Sequence, residues 1–216
     1  MQLPLLRPER PRLDPTFRRL HTTPLAGGAW VAHQSSWLEG DMEIFSSLAV
    51  QTRWRNEQRP MYDRVVAVPR QVAQLPDDGP IHPILAQASR LLSARFDRPL
   101  TRIGLNHYRN GRDSVAMHGD KVGDRAHDYT MAILSLGAPR TFRLRPRHGG
   151  AGLDFHLGWG DLLVMGGTMQ STWRHGVPKT SRTIGPRISV QFREAAPRGA
   201  GVPRRDPSHQ ENGGAT

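Results

Sequence analysis

Two stretches in the first half of the chain repeat hydrophobic residues at helical spacing. The first follows a capping box, Ser36-x-x-Glu39, and continues to about Arg53. The second begins at Pro83, a residue favoured in the first turn of a helix, and continues to Phe96. The pattern therefore predicts two amphipathic helices, each with one face available to cover a core.

After residue 100 the period of the pattern changes. Short apolar runs separated by Gly, Asp and Pro predict seven strands, at 102–108, 114–118, 129–136, 141–145, 153–157, 161–165 and 187–193. Two further short strands are predicted at 29–33 and 65–68. Many short strands joined by turns favour an antiparallel sandwich or jelly roll. The predicted fold class is α+β with a mainly β core, a double-stranded β-helix whose N-terminal helices pack on one side.

The two ends of the chain differ in composition from the middle. Residues 1–21 are rich in Pro and Arg, which predicts a flexible, extended arm. Residues 195–216 have no apolar periodicity and predict a disordered tail. The region 22–194 is then one folded domain, a size that suits a single core.

Composition narrows the class of protein. The chain has no cysteine, which excludes disulfide scaffolds, zinc ribbons and thiol nucleophiles. It has no run near the roughly 18 apolar residues of a membrane span and no apolar core of a signal peptide, so we expect a cytoplasmic protein without membrane association. The net charge of +11 favours polyanionic partners, of which nucleic acid is the commonest.

A histidine and a carboxylate stand two residues apart in His118-Gly-Asp120. In a strand such residues point to one face, so both side chains project together. A third ligand, for which His175 is the candidate, would complete the two-histidine, one-carboxylate set of non-haem Fe(II) oxygenases. The pair alone is weak evidence, because His209-x-Glu211 in the predicted tail has the same form.

The last predicted strand carries arginines on one face. Alternation along Arg187–Arg193 places Arg187 and Arg193 on the same side, and buried guanidinium groups need anionic partners. A dicarboxylate would supply them, since guanidinium pairs bidentately with carboxylate. Asn106 and Tyr108 form a second same-face pair that could bind carboxylate oxygens.

Six motifs follow one another between residues 105 and 193. They are Leu105-Asn106-His107-Tyr108-Arg109-Asn110-Gly111, His118-Gly-Asp120, Leu134-Ser135-Leu136-Gly137, Gly160-Asp161-Leu162-Leu163-Val164-Met165, His175-Gly176-Val177-Pro178 and Arg187-x-Ser189-x-x-Phe192-Arg193. Their order and spacing resemble the AlkB family of Fe(II)- and 2-oxoglutarate-dependent dioxygenases, over about residues 60–194. Met61-Tyr62 and Pro69-Arg70 are similar to its nucleic-acid-repair branch.

The resemblance implies a ligand set and a reaction. His118, Asp120 and His175 would hold Fe(II). The residues implied for 2-oxoglutarate are Asn106, Tyr108, Arg187, Ser189 and Arg193. With O2, the enzyme would remove N-alkyl groups of the 1-methyladenine or 3-methylcytosine type from DNA or RNA, releasing formaldehyde and succinate. We expect a monomer whose basic charge serves nucleic-acid binding.

Three positions depart from the family pattern. Ser189 stands where the family commonly has Asn, and Val122 stands where relatives often have an acidic residue that reads the base. The run 71–75 lacks the aromatic residue of the family's base-covering lid. These departures bear on the substrate more than on the iron chemistry.

Two other functions stay open at this point. The first is an Fe(II)/2-oxoglutarate oxygenase of the same fold that acts on a protein, a lipid or a modified tRNA base. The second is a non-catalytic, basic nucleic-acid-binding domain, which would require a broken ligand set. All three candidate metal ligands are present in the sequence, so the hypothesis of a non-catalytic domain has the least support.

Overall fold

The computed structural model describes residues 10–61, 64–120 and 122–195. Its strands are β1 (Arg12–Leu13), β2 (His21–Pro24), β3 (Ala29–Gln34), β4 (Leu38–Glu39), β5 (Arg55–Met61), β6 (Arg64–Leu75), β7 (Arg102–Tyr108), β8 (Val115–His118), β9 (Met131–Gly137), β10 (Arg140–Pro146), β11 (Leu153–Leu157), β12 (Leu162–Gly167), β13 (Trp173–Val177) and β14 (Arg187–Arg193). The helices are α1 (Asp41–Gln51), α2 (Pro83–Phe96) and α3 (Met169–Thr172), with 3-10 turns at Ala26–Gly28 and Gly123–His127.

The strands form two facing antiparallel sheets. The major sheet has the order β2-β3-β12-β9-β14-β7-β6-β5, and the minor sheet has the order β11-β10-β13-β8. β1 and β4 form a separate two-stranded ribbon. This arrangement confirms the predicted jelly roll, which closes by packing the two sheets against each other.

Alternation along the major sheet separates two cores. Ile188, Val190 and Phe192 of β14 face outwards and pack in one cluster with residues of α1 and α2, such as Ile44 and Leu92. The prediction that both helices lie on one side of the sheet is confirmed. The opposite face of β14 points between the sheets, where a second cluster fills the interior.

The start of α1 differs from the predicted capping box. Ser36 does not cap the helix, because Leu38 and Glu39 form β4 and pair with β1. The helix begins after Gly40, and the Asp41 carboxylate accepts a hydrogen bond from the backbone N–H of Gly137 at 2.9 Å. The first turn of α1 is therefore fixed by a contact with the end of β9.

The predicted flexible arm also differs from the structure in its described part. Leu13 and Phe17 are only 4% and 8% exposed, and Phe17 stacks on Trp37 with ring centroids 5.6 Å apart. Two apolar side chains among the prolines are enough to dock the segment 10–20 on the domain. Residues 1–9 of the predicted arm and residues 196–216 of the predicted tail lie outside the described residues.

Five of the strands were not predicted: β1, β2, β4, β5 and β13. β5 pairs with a β6 that is much longer than the run predicted at 65–68, and β13 lies between β10 and β8 in the minor sheet. Within the part of the chain that the structure describes, no helix has the length and apolar character needed to cross a membrane.

Candidate active site

Two neighbouring strands of the minor sheet bring the candidate metal ligands together. His118 ends β8 and is the register partner of His175 on β13, while Asp120 follows β8 by two residues. One ligand atom from each of the three side chains lies within 4.8 Å of the others. The structure thus assembles the three residues singled out in the sequence, although they are 57 positions apart at most.

The two imidazoles have different surroundings. His118 Nδ1 donates to the carbonyl of Ala116 at 2.8 Å, and Nε2 lies 3.7 Å from Asp120 Oδ1. His175 is buried against Phe142, and its Nδ1 has no hydrogen-bond partner among the described residues. Burial and the charge of His118 lower the pKa of His175 to about 3, so its imidazole is neutral at pH 7.

Asp120 is held as an anion. Burial by itself raises the pKa of this carboxyl, but the hydrogen bond with His118 and the charge of Arg193 outweigh burial and lower the pKa below its ordinary range. Arg193 Nε lies 3.4 Å from Asp120 Oδ2. Two imidazoles and one carboxylate are the donor set that a non-haem Fe(II) ion takes, so the residues fit this metal.

A cavity of about 1170 Å³ lies between the two sheets, and the metal ligands are part of its lining. Seven of the eight residues predicted for the site line it: His118, Asp120, His175, Asn106, Tyr108, Ser189 and Arg193. The eighth, Arg187, is 1% exposed and lies against Tyr108, with its guanidinium carbon 5.3 Å from the ring centroid.

Arg187 is a buried cation with unused donors. Its Nε donates to Ser135 Oγ at 2.6 Å, but Nη1 and Nη2 have no partner in the described part of the chain. Burial lowers the pKa of Arg187 to about 10, so the group is still charged at pH 7. Two unpaired nitrogens of one guanidinium fork fit a carboxylate, as the sequence predicted for a dicarboxylate cosubstrate.

Two residues that the sequence analysis did not assign to the site support its predicted ones. Arg70 Nε donates to Asn106 Oδ1 at 3.0 Å and so ties β6 to β7 beside the cavity. Gln191 Nε2 donates to both Ser189 Oγ and the Ser189 carbonyl at 2.8 Å. The hydroxyl of Ser189 is thus held by the side-chain amide of Gln191 on the same strand. Alternation along β14 puts the two residues on one face.

Gly104 leaves room for Arg193 to cross β7. A Cβ at this position would lie 2.8 Å from Arg193 Nη1 and 3.0 Å from Gln74 Nε2. We expect Gly104→Ala to displace the Arg193 guanidinium and raise the KM for 2-oxoglutarate several-fold, because the family resemblance implies that Arg193 binds this cosubstrate. Steady-state succinate formation measures this, and unchanged KM would contradict the contact.

Basic residues outnumber carboxylates in the lining of the cavity. The cationic residues that line the cavity are Arg70, Arg102, Arg143, Lys179 and Arg193, and the carboxylates are Glu57 and Asp120. Val122 also lines it and packs against the cluster between the sheets. A lining with this charge attracts phosphate groups, whereas an apolar wall at Val122 offers no charge for reading a base.

Comparison with known proteins agrees with the fold. The family described as the 2OG-Fe(II) oxygenase superfamily matches residues 23–193, and the chain belongs to this superfamily. Its relatives place it in the AlkB family within that superfamily.

Two relatives illustrate the similarity. Human "Alpha-ketoglutarate-dependent dioxygenase alkB homolog 3" is 30% identical over 161 residues, which are 70% of this chain and 54% of that protein. Bovine "DNA oxidative demethylase ALKBH2" is 24% identical over 181 residues, 74% of this chain and 63% of that protein. The chain spans about half the length of the first curated relatives it matches.

A solved structure shares the fold. The structure titled "The structure of OsALKBH1" superposes with a TM-score of 0.54 at 17% identity, covering 81% of this chain and 100% of that chain. At this identity the likeness supports the jelly-roll architecture alone.

Proposed function

We propose that this protein is an Fe(II)- and 2-oxoglutarate-dependent dioxygenase that removes N-alkyl groups from bases of DNA or RNA. The observation that carries the proposal is a His-Asp-His metal set that lines one cavity, together with the buried guanidinium of Arg187, which has two unpaired nitrogens and lies on the strand that also carries Ser189 and Arg193. The names of the relatives, alkB homolog 3 and the DNA oxidative demethylase ALKBH2, support the same reaction.

Each side chain has a role in the proposed reaction. His118, Asp120 and His175 would hold Fe(II), which, with 2-oxoglutarate, supplies the oxidant derived from O2. The residues that would hold 2-oxoglutarate are Asn106, Tyr108, Arg187, Ser189 and Arg193. Arg187 contributes its free nitrogens to one carboxylate, and Gln191 orients the Ser189 hydroxyl.

The basic lining of the cavity supports a nucleic-acid substrate. Arg70, Arg102 and Lys179 belong to this lining and could neutralise phosphates beside a target nucleotide. A base inside a duplex cannot reach the metal ligands between the sheets, so the enzyme must accept single strands or flip the base out. We also propose a monomer as the active form, since the proposed metal and cosubstrate residues all belong to this chain.

The substrate proposal is tested by mass spectrometry of an oligonucleotide. The protein is loaded with Fe(II) under anaerobic conditions and mixed with 2-oxoglutarate, O2 and a single strand that carries 1-methyladenine or 3-methylcytosine. We expect the oligonucleotide to lose the mass of one CH2 group, and parallel DNA, RNA and duplex substrates rank the preferred strand.

Val122 and the lid without an aromatic residue favour a second candidate, an oxygenase of the same fold with another substrate. Val122 gives the cavity an apolar wall where relatives often place an acid. Succinate formation without demethylation in the same assay would favour this candidate over the nucleic-acid substrate. Assays with protein, lipid and modified tRNA substrates would then identify it.

A further inference from the structure

The one-turn helix α3 joins the strand β12 to the strand that carries His175. Gln170, its second residue, is 2% exposed and does not line the cavity's predicted cosubstrate region. A buried amide is costly unless its polar atoms are paired. The partners of Gln170 therefore indicate what the side chain is for.

Both ends of the Gln170 amide are used. Oε1 accepts a hydrogen bond from the backbone N–H of Asp120 at 2.7 Å, and Nε2 donates to Met131 Sδ at 3.5 Å. Because a backbone N–H can only donate, the amide oxygen must face Asp120, which fixes the orientation of the side chain. Gln170 lies on the segment that leads to His175, and it holds the main chain of the other ligand, Asp120, in place.

Arg147 fixes α3 from the other side. Its Nη2 donates to the Gln170 carbonyl at 3.1 Å, and its backbone N–H donates to the Thr172 carbonyl at 2.9 Å. A Cβ at Gly119 would lie 2.5 Å from Arg147 Nη2 and 2.7 Å from the Gln170 carbonyl oxygen. The residue between His118 and Asp120 therefore packs directly against this helix, and only glycine leaves space for it.

We propose that Gln170 is a positioning residue for the metal centre: it fixes the Asp120 backbone so that the carboxylate meets the two imidazoles in binding geometry. This inference rests on the proposed Fe(II) site. β8 and β13 set the spacing of the two histidines, and Gln170 of α3 adds a direct contact to the backbone of the third ligand, Asp120. Loss of an outer-shell contact of this kind typically weakens metal binding by about 10–100-fold.

The test is calorimetric titration of the metal-free protein with Co(II), which needs no turnover. We expect Gln170→Leu to bind Co(II) at least about 10-fold more weakly than the wild type. Gln170→Glu keeps an acceptor oxygen and should restore much of the affinity. Ser171→Ala, on the same helix, removes only a hydroxyl that bonds to Thr168 and should bind Co(II) like the wild type.

The outcomes distinguish failure of the positioning role of Gln170 from failure of the proposed metal site. Wild-type affinity in Gln170→Leu would overturn the positioning role and leave the proposed metal site intact. Absence of Co(II) binding by the wild type would overturn the proposed site and the positioning role together. If Gln170→Leu does not fold, Arg147→Ala decides, because that exposed side chain acts on the same helix. Weaker Co(II) binding in Arg147→Ala supports the role of α3, and unchanged binding contradicts it.

Discussion

Replacing His175 with phenylalanine is expected to abolish demethylation while the protein remains folded. The change removes one of three metal ligands, so the loss of Co(II) affinity should exceed the roughly 100-fold that an outer-shell change costs. The new ring can still stack on Phe142, which lies 5.7 Å from the His175 ring. The change also removes a buried Nδ1 without a partner, so the free energy of unfolding should not fall.

His107→Phe is the matched control for this change. His107 is half-buried, and burial lowers its pKa as it does that of His175. Its Nδ1, however, lies 3.2 Å from Gln71 Oε1, and its ring contacts Trp54, away from the metal ligands. We expect this variant to retain Co(II) binding and activity. Activity that survives in His175→Phe would remove His175 from the ligand set.

Arg187→Met is expected to weaken 2-oxoglutarate binding and to stabilise the ligand-free protein. A charge-assisted hydrogen bond is worth about 1.5–3 kcal/mol, so losing the contact should raise the Kd by roughly 10–100-fold. In the absence of the ligand, the guanidinium is buried with two unpaired nitrogens, and a methionine removes that cost, which we expect to outweigh the loss of the one hydrogen bond from Arg187 Nε to Ser135. Calorimetry with 2-oxoglutarate and thermal unfolding measure the two effects.

Arg140→Met provides the opposite stability result. Arg140 is also buried, but it donates to the carbonyls of Asn110, Asp113 and Pro178 at 2.8–2.9 Å. Its loss leaves these acceptors without that donor, so the melting temperature should fall. Should Arg187→Met lower the melting temperature in the same way and leave 2-oxoglutarate binding unchanged, Arg187 would be a structural residue.

Strict alternation made part of the site predictable from sequence. β7 and β14 have the bounds that the sequence predicted, because apolar and polar residues alternate along both strands. The same alternation placed Asn106 and Tyr108 of β7 and Ser189 and Arg193 of β14 on the cavity side. His118 and Asp120 needed only the two-residue period of an extended chain.

Other parts depended on contacts that a local pattern does not contain. β13 was not predicted, since Trp173-Arg-His-Gly-Val177 has a glycine and little alternation, so the strand forms through its pairing with β8 and β10. Three further contacts join segments that are distant in sequence. Gln170 contacts Asp120, Arg70 contacts Asn106, and Gly104 leaves space for Arg193. Such partners follow from tertiary packing and carry no sequence signal of their own.

The proposed demethylation is tested most directly by measuring, in one reaction, where the oxygen of O2 goes and whether the methyl group is lost. The Fe(II)-loaded protein is given 2-oxoglutarate, dioxygen labelled with heavy oxygen, and a single strand that carries 1-methyladenine or 3-methylcytosine. We predict that labelled succinate forms in an amount equal to the methyl groups lost, and that formaldehyde is released with it. Labelled succinate that forms equally well with an unmethylated strand, with no loss of methyl from the modified one, would contradict the account.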